Sequence, residues 1–412
     1  MLIDLSKIPS GSIHNLQSDT ITPVRTTQML LRLIRAAQPI SRIDLARRLN
    51  VNRSTITDIV KPLVAAGLIR EESFDPTEGK NKTQGRPPVA LSFNDRKNIF
   101  IGLNLGVRRS QIGLTNLKDE IFDEEEFDTP TEPQIALMTA RIKIEELCKR
   151  YSDYDLKAIG VSVPGLTAAA RRKLIYAPNL DWRDVNVADA LTISSDVNVV
   201  VENDATAAAM YEARMKIHRS NDDLMTNFIL VRSGTGIGVG LVIGSEVYRG
   251  TGIGRGIAGE FGHMTIVAGG KPCVCGNRGC WEKYASAASA ASLYLGDRPV
   301  RGGESVPRFV EIVNKAANGD IRAKSTLAKI GDYLGIGIAN VIMGVGIPRV
   351  IISGRLVYGW EFIKKPLNEA IERSIVGKLD GWSVEAGEPA GAAIGGALEV
   401  AVEDYLANGF IA

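Results

Sequence analysis

The residues whose chemistry is easiest to recognise are one histidine and three cysteines that fall in one short window. His263, Cys273, Cys275 and Cys280 supply one imidazole and three thiolates, the number and kind of ligands that a tetrahedral zinc site takes. A closed shell of four protein ligands is typical of structural zinc, so we predict one structural Zn²⁺ per chain. The alternative is a disulfide or ordinary buried thiols, although a long chain without a secretion signal is expected in a reducing compartment. Cys148 lies apart, on a helical apolar stripe, and is predicted to be core.

Several polar side chains around this window are not needed as zinc ligands. Glu260 and Glu282 flank the metal-binding residues, and folding the loop around zinc would bring both carboxylates toward one cleft. Solvent exposure of both glutamates is the alternative interpretation. The apolar run 199–201 predicts a strand, which ends at Glu202 and is followed by Asn203 and Asp204. Because open α/β sheets bind ligands at the carboxyl ends of their strands, these groups are candidates for the same cleft.

Taken in order, these motifs resemble the ROK family of repressors, open reading frames and sugar kinases. The resemblance covers nearly the whole chain and depends on Gly160–Gly165, Ala177–Leu180, Glu202–Ala205, Gly234–Gly238, Gly259–Glu282 and Ile352–Arg355. It implies that sugar hydroxyls are bound by five side chains, of which the histidine also ligates zinc: Asn203, Asp204, Glu260, His263 and Glu282. Carboxylates and an amide suit this task, because each hydroxyl both donates and accepts a hydrogen bond.

The same resemblance identifies a defect in the nucleotide site. Sugar kinases of this family carry an Asp-x-Gly-Gly-Thr turn that cradles the ATP phosphates and helps to organise magnesium. Here the matching segment has Asn104, Val107 and Arg108 in place of the acid, one glycine and the threonine. Asp204, the general base in the kinases, remains as a sugar ligand. We therefore predict that the protein is not an enzyme; the alternative is an ATP-dependent sugar kinase with an appended DNA-binding domain.

Positive charge is concentrated near the amino terminus. Residues 21–92 carry 12 basic and 6 acidic side chains, although the whole chain has a net charge of only +2. Within this segment, Thr26–Ala37, Ser41–Leu49 and a third run toward Ala66 read as three short helices, with Ser41 and Asn52 as N-caps. This pattern is similar to a winged helix-turn-helix. The residues expected to contact DNA at the start of its recognition helix are Asn52, Arg53, Ser54, Thr55 and Thr57.

A polar stretch rich in Gly, Pro and Lys follows the three helices. Residues 71–88 fit the wing of such a domain, and Arg86 in its Gly-Arg-Pro tip is predicted to enter a narrow minor groove. A disordered linker has the same composition and remains an alternative. The basic charge and the predicted helices together indicate a double-stranded DNA operator as a partner.

The rest of the chain predicts a duplicated α/β architecture. Three strands joined by turns occur at 99–127, and the same pattern returns at 227–248. With the family resemblance, this predicts a two-lobed, actin-like (ribonuclease H-like) domain with a structural zinc site. The expected boundaries are 1–92 for the DNA-binding domain, 93–202 with 390–412 for the first lobe, and 203–389 for the second lobe.

These inferences predict a sugar-responsive DNA-binding regulator, and specifically a repressor, of genes for carbohydrate uptake or catabolism. The ligand is a monosaccharide or a derivative bound between the lobes, and closure of the lobes is expected to reach the DNA-binding domain through the zinc loop. Two-fold operators and the resemblance indicate a homodimer or homotetramer, and a sugar-transport protein is a further possible partner. With 45% hydrophobic residues, no secretion signal and no apolar run long enough to cross a bilayer, we expect a cytoplasmic protein without membrane association.

Overall fold

The computed structural model describes residues 23–73, 89–94, 97–220, 227–251, 256–296, 305–389 and 391–408. The amino-terminal part forms three helices and a small antiparallel sheet in the order β1-β3-β2, the arrangement of a winged helix-turn-helix. Its elements in chain order are α1 (Pro23–Ala37), β1 (Ile40–Ser41), α2 (Arg42–Leu49), α3 (Arg53–Ala65), β2 (Ile69–Ser73) and β3 (Val89–Phe93). The strands β2 and β3 are the base of the predicted wing. Its tip, including Arg86, lies outside the described residues.

Local side-chain chemistry accounts for the helix boundaries in this domain. The Ser41 hydroxyl accepts a hydrogen bond from the backbone N–H of Asp44 at 3.0 Å, so the predicted cap of α2 is confirmed. Asn52 occupies the cap position of α3 but makes no capping hydrogen bond with its side chain, so that part of the prediction was wrong. Pro62 lies within α3, where its ring removes one backbone donor without ending the helix before Ala65.

A first mixed sheet follows, in the strand order β11-β7-β4-β5-β6. The hairpin strands β4, β5 and β6 are antiparallel, whereas β7 and β11 run parallel to β4. In chain order this part comprises β4 (Asn98–Asn104), β5 (Arg109–Thr115), β6 (Ile121–Asp128), α4 (Pro133–Arg150), β7 (Asp155–Val163), β8 (Leu166–Thr167), β9 (Leu174–Ala177), β10 (Trp182–Val185), α5 (Val187–Leu191), β11 (Asn198–Asn203) and α6 (Asp204–Ser220).

A second mixed sheet repeats this topology, in the strand order β14-β13-β12-β15-β16. Three antiparallel strands again come first and two parallel strands are added on the other side, so the predicted duplication is confirmed. Its elements are β12 (Phe228–Ser233), β13 (Ile237–Ile243), β14 (Glu246–Tyr248), α7 (Glu282–Ala285), α8 (Ser289–Leu295), α9 (Phe309–Ala317), α10 (Ile321–Val345), β15 (Arg349–Gly354), α11 (Trp360–Glu372), β16 (Ser383–Ala386) and α12 (Ala392–Asn408), with short 3-10 helices at Glu260–His263, Arg355–Gly359 and Val376–Lys378.

Two helices, α6 and α12, lie between the sheets and contact each other along their length. Helix α12 packs on the first sheet, where a Cβ added to Gly160 would lie 2.2 Å from the carbonyl oxygen of Ala397. Helix α6 packs on the second sheet, where a Cβ added to Gly240 would lie 2.6 Å from the Cβ of Ala209. Real Cβ atoms do not approach other atoms so closely. A larger residue at either strand position would therefore force the helix away from the sheet.

Helix α10 differs from the expectation that no apolar run is long enough to span a bilayer. Over its 25 residues, its length and composition are sufficient for a membrane-crossing helix. In the fold it is a core helix, because its buried face, which includes Leu327, Leu334 and Ile338, packs among α7, α8, α9 and α11. Half of its most apolar window is buried within the protein, which accounts for its hydropathy without a membrane.

Candidate metal centre and ligand cleft

The predicted metal ligands come together in space. One ligand atom from each of His263, Cys273, Cys275 and Cys280 lies within 4.8 Å of the other three. The Sγ atoms of Cys275 and Cys280 are 3.7 Å apart, and the Sγ of Cys273 is 3.6 Å from the Nδ1 of His263. A tetrahedron with Zn–S bonds of about 2.3 Å has edges of about 3.8 Å, so the four side chains fit a zinc ion. Because a disulfide needs an S–S distance of about 2.0 Å, the 3.7 Å separation excludes one between Cys275 and Cys280 in this conformation.

Backbone geometry and one aromatic anchor hold the metal loop in place. Gly276 and Gly279 have positive φ angles of 92° and 78°, a backbone conformation that favours glycine and lets the chain turn sharply between Cys275 and Cys280. A Cβ added to Gly279 would lie 1.8 Å from the carbonyl oxygen of Val267, so only glycine fits there. Directly after Cys280, the fully buried Trp281 donates a hydrogen bond from its indole N–H to the carbonyl of Tyr333 in α10, at 2.9 Å. The loop is thereby attached to the core of the second sheet.

The electrostatics of the cluster favour a bound cation. Burial raises the pKa of the Cys273 thiol and also that of the Cys280 thiol, so thiolates at these positions need a compensating positive charge. A divalent metal coordinated by three thiolates supplies that charge. The side chains therefore fit a metal ion both by distance and by charge.

Three carboxylates converge beside the metal residues. The Nε2 of His263 faces Glu260, with 3.8 Å to the Oε2 atom, while its Nδ1 lies 3.9 Å from Oε1 of Glu282. Burial raises the pKa of Glu260 to about 7, and the nearby carboxylates of Asp204 and Glu282 raise it further. A carboxyl group that is partly protonated near neutral pH can donate as well as accept hydrogen bonds. This combination of groups suits a ligand rich in hydroxyls.

Asn203 lies at the same edge, but two of its side-chain functions are used within the protein. Its Oδ1 accepts the backbone N–H groups of Ala205 at 2.9 Å and Thr206 at 3.1 Å, so it caps α6. Its amide nitrogen donates to the carbonyl of Gly165 at 3.0 Å, in the turn after β7. The structure thus gives Asn203 a structural task that the sequence pattern did not indicate.

Asp204 has an ion-pair partner that no local sequence pattern predicted. At the end of β12, the guanidinium of Arg232 donates to Asp204 Oδ2, and both side chains are largely buried. A second missed group comprises Arg171 and Arg249, which both pair with the buried carboxylate of Glu202. Each arginine is distant in sequence from its partner. The only available signal was a charged residue at the end of an otherwise apolar strand, as at Arg232.

The segment that matches the kinase phosphate turn is tightly folded. Asn104, at the end of β4, is buried and accepts a hydrogen bond from the hydroxyl of Ser162 at 2.9 Å. Val107 packs against the core of the first sheet, and Arg108 points to solvent. A Cβ added to Gly106 would lie 2.2 Å from the carbonyl oxygen of Arg109, so the one glycine that remains is needed by the turn itself.

An open cavity of about 420 Å³ adjoins the carboxylate cluster. Asn203 lies on its wall, and Gly256 and Ala258 connect it to the segment that carries Glu260. Asp204, Glu260, His263 and Glu282 do not line this cavity, so it is a neighbour of the cluster rather than its centre. Its volume lies in the range of small-molecule sites.

Helix α3 carries most of the predicted DNA-contacting residues. Arg53, Ser54 and Thr57 are exposed, and Thr55 is half-buried, whereas Ile56 and Val60 on the opposite face are fully buried. The hydroxyl of Thr57 donates to the backbone carbonyl of Arg53 at 3.0 Å, and Arg42 of α2 lies within hydrogen-bond distance of it. Asn52, just before the helix, is exposed as well.

Comparison with known proteins gives a consistent assignment for both parts of the chain. The ROK family model matches residues 100–403, and the MarR family model matches residues 25–73. The chain is 31% identical to the xylose repressor of Bacillus subtilis over 85% of this chain and 88% of that protein.

Two solved structures are similar to this chain over most of its length. A ROK family transcriptional regulator, a homolog of the Escherichia coli MLC protein, superposes with a TM-score of 0.72 at 25% identity and covers 94% of this chain and 98% of that chain. A ROK family glucokinase from Streptomyces griseus, solved with glucose and AMPPNP, gives a TM-score of 0.62 at 25% identity over 74% of this chain and 99% of that chain. The regulator covers more of this chain than the kinase does.

We expect Cys275→Ser to lower zinc affinity by at least about 100-fold, because losing a ligand costs more than losing an outer-shell partner. Metal content per chain, measured by plasma mass spectrometry after dialysis, reports the loss directly. Cys148→Ser is the matched control, since Cys148 is a half-buried thiol outside the cluster. A Cys275→Ser protein that kept one zinc per chain would contradict the assignment of this ligand.

Proposed function

The chain belongs to the ROK family, and we propose that it is a transcriptional repressor whose operator affinity is set by an aldose bound between its two sheets. The observation that carries this proposal is the combination of two parts in one chain. Residues 25–73 match a DNA-binding family, and residues 100–403 match a family whose members bind sugars. A protein with both parts can convert the concentration of a sugar into occupancy of an operator.

The charges of the cleft favour an uncharged sugar over a phosphorylated one. Burial raises the pKa of Glu260, and Asp204 and Glu282 lie close enough to raise it further, so a phosphate placed among these three groups would be repelled. Arg232 is engaged by Asp204. The xylose repressor of Bacillus subtilis aligns along most of the chain, so we propose D-xylose or a similar aldose as the effector.

In this proposal, a bound zinc ion would orient one of the sugar-binding side chains, His263. His263 turns its Nδ1 toward the thiol of Cys273 and its Nε2 toward Glu260. If a metal ion were bound through Nδ1, the Nε2 of His263 would carry the proton and could donate it in a hydrogen bond to a hydroxyl of the sugar. The residues that would hold the metal are His263, Cys273, Cys275 and Cys280, and its role would be to support recognition structurally.

We also propose that phosphoryl transfer is absent. Asn104 stands where the kinases have the magnesium-organising acid, and its side chain is buried and bonded to Ser162. The guanidinium of Arg232 donates to the carboxylate of Asp204, so one oxygen of that carboxylate is already engaged within the protein. A cytoplasmic homodimer that binds a two-fold operator completes the proposal, because one helix-turn-helix reads only a half-site.

Asp204→Asn should weaken binding of D-xylose by about 10-fold to 100-fold, the usual effect of losing a hydrogen bond to a charged group. Isothermal titration calorimetry of the zinc-loaded protein measures this effect. Asp196→Asn, in an exposed loop, is the control that removes the same charge elsewhere. Equal affinities for all three proteins would place the sugar away from Asp204.

The wild-type protein should show no sugar-dependent ATP hydrolysis above the level of a buffer blank. The assay couples ADP release to NADH oxidation with D-xylose and D-glucose as acceptors. The variant Asn104→Asp, Val107→Gly, Arg108→Thr serves as a comparison in which the residues of the kinase turn are restored. Turnover by the unmodified protein would support the kinase alternative.

Arg53→Ala should weaken operator binding by about 10-fold and reduce the slope of log affinity against log salt by about 1, because one cation at the DNA surface is lost. Fluorescence anisotropy at several salt concentrations measures both quantities. Lys365→Ala, an exposed cation on α11, is the control. An unchanged slope and affinity would remove Arg53 from the DNA interface.

A further inference from the structure

The DNA-binding domain packs directly against the helices between the two sheets. One continuous apolar cluster contains Leu30 and Ile34 of α1 together with Ile217 of α6 and Ala401 and Leu406 of α12. Because this core is common to both parts, a displacement of α6 or α12 must be accommodated by α1. The two helices between the sheets are therefore in direct contact with the DNA-binding domain.

Within this contact, four charged side chains form a closed ring of alternating sign. Arg35 of α1 reaches Asp119 at 2.8 Å and Glu399 of α12 at 2.7 Å. Arg214 of α6 reaches the remaining oxygens of the same two carboxylates, Asp119 at 2.5 Å and Glu399 at 2.8 Å. Arg35 is the only member of the ring that the DNA-binding domain contributes.

Burial makes this ring costly to open. Arg35 and Glu399 are 3% and 2% exposed. Burial lowers the pKa of the Arg35 guanidinium, but the carboxylates of Asp119 and Glu399 raise it more, so the net shift is upward and the charge is retained. A charge left without its partner in such a setting is strongly destabilising. If Arg214 moves, Arg35 is therefore expected to follow it.

Helix α6 connects this ring to the ligand cleft. Its 17 residues span about 25 Å, from Asp204 in the carboxylate cluster to the end that packs against α1. Its first turn is capped by Asn203, and Arg214 lies between this cap and the carboxyl end. Close packing on Gly240 on one side and on α12 on the other leaves little room for the helix to bend.

We propose that α6 transmits the state of the sugar site to α1, and that the ring of Arg35, Asp119, Arg214 and Glu399 is the joint through which it acts. This inference rests on the proposed function. It differs from the route expected from the sequence, in which the zinc loop reaches the DNA-binding domain. Sugar contacts at Asp204 bear on the first residue of α6, and the ring converts the resulting shift into a reorientation of the helix-turn-helix.

The test is the variant Arg214→Gln, Glu399→Gln, which removes one charge of each sign and leaves the pair between Arg35 and Asp119. Two dissociation constants are measured for a duplex selected by this protein from a random library, with and without saturating D-xylose. The quantity compared is the ratio of the dissociation constant with D-xylose to the one without it. We expect the two constants to differ by at least about 5-fold in the wild type and to be about equal in the variant. The affinity for xylose and the sugar-free affinity for DNA should both stay close to wild type.

The control is Arg141→Gln, Glu145→Gln, an exposed ion pair on α4 that should leave the ratio unchanged. A ring with a purely structural role would lower the melting temperature without altering the ratio. A folded ring variant that keeps the full wild-type ratio overturns the inference and leaves the proposed function intact. If no aldose changes DNA affinity in the wild type, the proposed function fails, and this inference falls with it.

A second measurement uses only the wild-type protein, in case the ring variant does not fold. Hydrogen exchange with and without D-xylose should show altered protection in residues 30–37 of α1 and in the turn around Asp119. Changes confined to the cleft and the zinc loop, in a protein whose DNA affinity responds to xylose, would contradict transmission through α6.

Discussion

The approach of two helices to two sheets at backbone distance is the constraint on which the rest of the structure depends. Helices α6 and α12 seat on their strands only because Gly160 and Gly240 have no side chains there. This packing fixes where α6 begins and therefore where Asp204 lies relative to the second sheet. It also fixes the face of α12 that meets the DNA-binding domain. The ligand cleft and the interdomain contact are thus two ends of one packed unit.

The cleft is an arrangement of negative charges held together by selected positive ones. Glu260 and Glu282 approach Asp204, and burial together with the charges of Asp204 and Glu282 raises the pKa of Glu260. Arg232 offsets one carboxylate directly, and a cation among His263 and the cysteines would offset the thiolates beside them. Hydroxyl groups of a ligand can satisfy the remaining acceptors without adding charge. Recognition and stability of the cleft therefore depend on the same balance.

Much of this organisation could be predicted from the sequence, and the parts that could not share a physical cause. The metal residues were found because three of the four ligands are close together in the chain, and the strands because their turns repeat in two halves. The ion pair between Arg232 and Asp204 and the ring around Arg35 join residues that are distant in sequence, so no local pattern indicates them. The capping role of Asn203 depends on the exact direction of a side chain. The lobe boundaries, the sugar contacts and the DNA contacts stay predictions.

The apolar cluster that includes Leu30, Ile34, Ile217 and Leu406 has a consequence for modularity. A DNA-binding domain that can be exchanged between sensor proteins has its own hydrophobic core and a polar surface where it faces the sensor domain. Here the boundary between the DNA-binding domain and the ROK domain consists of shared hydrophobic packing and the buried side chain of Arg35. A chimaera that joins this ROK domain to the DNA-binding domain of another protein must therefore retain the residues of α1 that face the ROK domain. The unit that can be transferred is the ROK domain together with α1.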